Sequence, residues 1–152
     1  MTKEDILYEN PDFEEKFKEL VSLEDIMYYY HITPNNADEI CEDGLYLLEN
    51  RLSSTTIKIP EEFIKDPIEY ALHERGEGYR KNASIVLLGI PEDEVDYAIE
   101  KNRNKPSNWN EFEYPEFLIP PHYIVGYIDT NDFNIIINPK YELLNEYESF
   151  NI

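Results

Sequence analysis

The chain has 152 residues, enough for one domain with a buried core and too few for two ordinary ones. Its 41% hydrophobic and 14% aromatic content excludes disorder for the body of the chain, and 33 acidic against 13 basic side chains, a formal charge of −20, repel nucleic acid and anionic lipid. A single cysteine, Cys41, excludes an internal disulfide and every multi-cysteine zinc pattern.

No apolar run approaches the roughly 18 residues of a membrane span, and Met1-Thr2-Lys3-Glu4-Asp5 does not read as the start of a signal peptide. These features predict a cytoplasmic protein. A surface so acidic suits a basic protein partner, and it suits a protein that imitates the charge of a nucleic acid equally well.

In chain order, residues 2–23 show a partly helical apolar spacing broken at Asn10-Pro11, which predicts a helix over Asp12–Leu20. Met27–Ile32 is rich in aromatic residues and stops at Thr33-Pro34-Asn35-Asn36, the pattern of a strand closed by a turn. The strand delivers His31 to its C-terminal end. Asn36 is placed to cap a helix over Ala37–Glu42 with its side-chain oxygen. Gly44 ends that helix by taking the left-handed backbone form. Leu45–Leu48 reads as a short extended piece, and residues 51–59 as a loop passing into a strand.

Ile68, Ala71 and Leu72 predict a helix over Pro67–Glu74, with Tyr70 and His73 on adjoining surface positions. Gly76-Glu77-Gly78 ends it and is too little for a phosphate-binding fingerprint. Ala83–Ile90 is the strongest strand of the chain, and its nearly continuous apolar character predicts cover on both faces. Pro91-Glu92-Asp93-Glu94 opens a predicted short helix to Ala98, with acidic residues in its first turn.

Residues 101–110 are polar and read as a loop. They contain Lys101, Arg103 and Lys105, the densest basic cluster, which suits solvent, the phosphates of a ligand or an acidic target. Phe117–Ile119 and Tyr123–Ile128 follow as strands around a Pro120-Pro121 turn, with Phe133–Ile137 as the last strand. The expected domain is single, with a core over about 26–138, an N-terminal helix at 12–20 and an acidic tail at 140–152.

Three polar side chains sit at the edges of apolar elements: His31 after the first strand, Tyr70 in the central helix and Glu116 before a late strand. A carboxylate leading into a buried strand costs free energy unless water or a hydrogen bond holds it. Glu116 is therefore the residue to explain. Plain structural readings stand beside the functional ones. His31 fits a partly buried histidine bonded to backbone, Tyr70 fits core packing, and Glu116 fits a solvated strand end. His73 and His122 lie far apart without metal-ligand spacing, so no metal site is expected.

The ordered set Tyr30-His31-Ile32-Thr33, Ala37–Leu45, Ile68-Glu69-Tyr70-Ala71 and Glu116-Phe117-Leu118-Ile119-Pro120 resembles the ADP-ribosyltransferase-like fold in its His-Tyr-Glu form. The resemblance spans about 28–128. It implies an α+β fold with a split β-sandwich of two small sheets around a cleft that binds NAD. It also implies that His31, with Thr33 beside it, bonds the adenosine ribose, that Tyr70 stacks on the nicotinamide, and that Glu116 is the catalytic carboxylate. The hydroxyl run Ser53, Ser54, Thr55 and Thr56 is a candidate source of hydrogen bonds on the nicotinamide side, with Ser54 and Thr55 at its centre, and Tyr79 is a rival for the stacking role.

Where arginine-modifying members carry Glu or Gln two positions before the catalytic glutamate, this chain has Tyr114, which does not support an arginine acceptor. The basic residues that RNA 2′-phosphotransferases of this fold use for a phosphate are not evident in so acidic a chain. The resemblance thus implies NAD-dependent mono-ADP-ribosyl transfer to a macromolecule, with protein favoured over nucleic acid and Asn, Ser, nucleotide and small-molecule acceptors left open, as in a toxin or a phage-host conflict factor. The alternative is a noncatalytic acidic protein that mimics nucleic acid or inhibits a basic partner.

Overall fold

The computed structural model describes residues 2–33, 36–46, 56–74, 83–94 and 118–141. Seven strands run in chain order: β1 (Ile26–Thr33), β2 (Leu45–Tyr46), β3 (Thr56–Lys58), β4 (Ser84–Pro91), β5 (Leu118–Ile119), β6 (Ile124–Asp129) and β7 (Asn134–Ile137). Five form one antiparallel sheet in the order β3-β1-β4-β6-β7, and β2 pairs with β5 in a separate two-stranded sheet. The helices are α1 (Lys3–Glu9), α2 (Phe13–Leu20), α3 (Ala37–Asp43), α4 (Glu61–Lys65) and α5 (Pro67–Glu74). The α+β class expected from the sequence is the class observed.

β4 holds the centre because it can be buried on both sides. Ile85, Val86, Leu87 and Leu88 are each fully buried, and β4 lies between β1 and β6. Alternation along the strands then sorts side chains to two faces. Tyr28, Tyr30 and Ile32 join one hydrophobic cluster with Ile85 and Leu87, while Tyr29 joins a second cluster with Val86 and Leu88.

The first face is covered by α1, α2, α4 and α5 through Ile6, Phe13, Phe17, Phe63, Ile68 and Ala71. Its rings form a continuous series: Phe13 on Phe17 at 6.5 Å, Phe17 on Phe63 at 4.6 Å and Phe63 on Tyr70 at 4.5 Å, all near parallel. Each such pair contributes about 0.5–1.5 kcal/mol beyond its buried area. The second face is covered by α3 and the β2–β5 pair through Ala37, Ile40, Cys41, Leu45 and Ile119.

Several boundaries differ from those expected. A separate helix, α1, precedes Asn10-Pro11, started by a capping box in which Asp5 N–H donates to Thr2 Oγ1 at 3.2 Å and Thr2 N–H donates to Asp5 Oδ2 at 3.0 Å. α4 was not expected, since five residues are too few to show a helical period, yet its Phe63 is fully buried. β6 starts at Ile124 rather than Tyr123 because Pro121–Tyr123 forms a 3-10 turn, with Tyr123 N–H donating to Pro120 O at 3.1 Å. After β4, Glu92–Glu94 forms a 3-10 turn, and the rest of the helix expected to Ala98 lies outside the described residues.

Gly44 has the positive φ that ends α3, at 96°, but its ψ of 176° is extended, so the chain runs directly into β2. The β6–β7 loop closes on Phe133 at φ 58°, an unusual conformation for a bulky residue. Burial of the Phe133 ring edge-on to Phe13 at 5.6 Å offsets that strain. The predicted tail begins with two anchored residues: Lys140 Nζ lies 2.8 Å from Glu42 Oε1, and Tyr141 is buried in the first-face core. Residues 142–152 lie outside the described set.

Candidate functional site

The C-terminal end of β1 carries His31 and Thr33. Both share the parity of Tyr29, so they belong to the face covered by α3 and the β2–β5 pair. Thr33 is buried, and its hydroxyl donates to Asn36 Oδ1. That bond corrects the expected cap: the Asn36 side chain makes no hydrogen bond to the first turn of α3, because its oxygen is engaged by Thr33. The Asn36 backbone carbonyl still accepts from Ile40 N–H at 3.1 Å.

His31 is half-buried, and burial alone lowers its pKa to about 4. At neutral pH the ring is uncharged, with one nitrogen that donates and one that accepts. His31 pairs in register with Val86 of β4, and Val86 pairs with Tyr127 of β6. Strands about 4.8 Å apart put His31 and Tyr127 about 10 Å apart along one cross-strand row. The Tyr127 hydroxyl donates to Asp38 Oδ1 at 2.6 Å, and that bond, with burial, raises the phenol to about 12. Asp38 and Tyr127 were not singled out in the sequence, because the signal that unites them with His31 is strand register, which alternation alone does not fix.

Tyr70 lies on the other face. Its hydroxyl is 2.9 Å from that of Tyr30, its ring stacks on Phe63, and Tyr30 also donates to Glu74 Oε2 at 3.3 Å. Tyr30 and His31 are consecutive residues of one strand and so point to opposite sides of the sheet. The structure therefore does not bring Tyr70 together with His31. Tyr70 packs, partly buried, in the aromatic series, which is the plain reading set beside its implied stacking role.

Glu116, Ser54, Thr55 and Tyr79 lie outside the described residues, as do Lys101, Arg103 and Lys105. The sequence places Glu116 two residues before Leu118, where β5 begins. β5 pairs Ile119 with Leu45 and Leu118 with Tyr46, and both Leu45 and Ile119 pack in the second-face cluster that includes Tyr29.

Comparisons with protein-family models, with curated proteins and with solved structures each gave no match. Among the described residues, no helix is long and apolar enough to cross a membrane.

Proposed function

We propose that this chain is a small NAD-consuming mono-ADP-ribosyltransferase whose cleft lies on the second face, between the end of β1 and the β2–β5 pair. One observation carries the reading: β1 delivers His31 and Thr33 to the same side of the large sheet as the small sheet whose second strand begins two residues after Glu116. A two-stranded sheet separate from the five-stranded one suits the split arrangement that the ordered residues imply.

An uncharged His31 suits a ribose diol, since each hydroxyl both donates and accepts. Glu116 is assigned the catalytic role. As the bond between nicotinamide and ribose breaks, positive charge develops on the sugar, and a carboxylate on the ribose hydroxyl attracts that state more strongly than the ground state. The acceptor nucleophile forms the new bond to the same ribose carbon, and nicotinamide leaves. With Tyr70 committed to the opposite face, Tyr79 takes the candidate stacking role, and Ser54 and Thr55 the hydrogen bonds beside it. Tyr114 directs the search for an acceptor away from arginine, toward other groups on proteins.

Nicotinamide release and NAD calorimetry test this directly. Glu116→Ala should lower turnover by about 100-fold or more while NAD still binds. Turnover equal to wild type would remove Glu116 from its role.

The net charge of −20 favours a second reading, an acidic protein that occupies a basic partner. Such a complex weakens steeply with added salt and is indifferent to changes at His31 and Glu116.

A further inference from the structure

Among the described residues, β7 is an edge of the large sheet, and its own side chains lack the usual defence of an edge. Its four residues, Asn134–Ile137, carry no charge, and Ile136 and Ile137 are 37% and 39% exposed. At the opposite edge, β3 ends on the exposed Lys58, a residue type that discourages further pairing.

The phase of the β6–β7 ladder identifies the open backbone groups. Asn138 N–H donates to Val125 O at 2.9 Å, so that opposed pair is hydrogen-bonded. Alternation makes Tyr127–Ile136 bonded as well, and leaves Gly126–Ile137 and Ile128–Ile135 as non-bonded pairs. The N–H and C=O groups of Ile135 and Ile137 therefore point away from β6, along the open edge.

We propose that a second copy of this chain pairs with β7 antiparallel across a twofold axis at Ile136, joining two five-stranded sheets into one. That register sets Ile135 of one copy opposite Ile137 of the other, and the reverse. The outward groups of both residues in both copies are then matched, as a self-complementary interface requires. Registers centred on Ile135 or Ile137 leave one of the two residues facing a turn. On the axis, Ile136 meets its own copy in a non-bonded pair, where side chains approach most closely.

This inference is independent of the proposed function. Sedimentation equilibrium of the full chain over a concentration series tests it. A reversible monomer–dimer equilibrium is expected, tightening with added salt as repulsion between the acidic chains is screened. Ile137→Pro deletes one outward N–H and leaves the inward ladder intact, and Ile136→Lys places charges against each other on the axis.

Each substitution should raise the dimer Kd by about tenfold or more, with an unchanged circular dichroism spectrum. In the wild type, amide exchange at Ile135 and Ile137 should slow as concentration rises. A chain that stays monomeric throughout, a dimer indifferent to both substitutions, or a dimer that leaves these two amides exchanging as in the monomer would overturn the proposal.

Discussion

The two faces of the large sheet are built from the same strands and differ in almost everything else. Four helices and a run of stacked rings cover the first. Among the described residues, a seven-residue helix and two two-residue strands cover the second, where His31, Thr33 and the Tyr127–Asp38 bond lie. Tyr30 and His31, one peptide apart, are assigned to opposite sides of this division. A single step along a strand thus separates a core anchor from a candidate binding group.

The largest expected effect comes from opening the aromatic face. Phe63 is fully buried and stacks on both Phe17 and Tyr70. Phe63→Ala should cost about 3–5 kcal/mol in denaturant unfolding, a large share of the total for a domain of this kind. A cost below about 1 kcal/mol would mean that the ring series does not hold this face together.

Next in size is the pH dependence contributed by His31. Its folded pKa of about 4 lies below the ordinary 6.5, so between these values the unfolded chain holds a proton that the folded chain does not. The stability of the neutral folded ring is fully present above about pH 6.5 and is lost as pH falls toward 4. Urea unfolding at a series of pH values should show wild type losing stability relative to His31→Gln across that window. Parallel curves would show that His31 is not desolvated on this face.

Smaller again is the effect of Asp38→Asn. Removing the carboxylate should lower the Tyr127 pKa from about 12 toward the ordinary 10, followed by NMR titration of labelled tyrosine, and cost about 1 kcal/mol of stability. An unchanged Tyr127 titration would break the link between α3 and the cross-strand row.

Elements with strong local signals were legible in the sequence. The apolar run of β4, the aromatic-rich run of β1 and the apolar spacing of α5 each locate an element with little help from tertiary structure. Short elements were not: α4 is too brief to show a period, and the capping box that starts α1 lies in Thr2–Asp5 ahead of a broken apolar pattern. The candidate site was legible in part. Position and parity put His31 and Thr33 at a strand end, whereas the helical position of Tyr70 says nothing about which side of the sheet its helix crosses. That choice is made by the packing of Phe63 and Tyr30 against it, a long-range event. Asn36 shows the same limit, since a cap residue was recognisable but its engagement by Thr33 was not.

The central claim is that NAD binds the face that carries His31. Titration calorimetry of NAD against wild type, His31→Ala and Tyr70→Phe tests it most directly. The account predicts that wild type binds, that His31→Ala weakens binding by about tenfold or more, and that Tyr70→Phe binds as wild type does. Weakened binding in Tyr70→Phe with His31→Ala unchanged would put the ligand on the aromatic face and contradict the account.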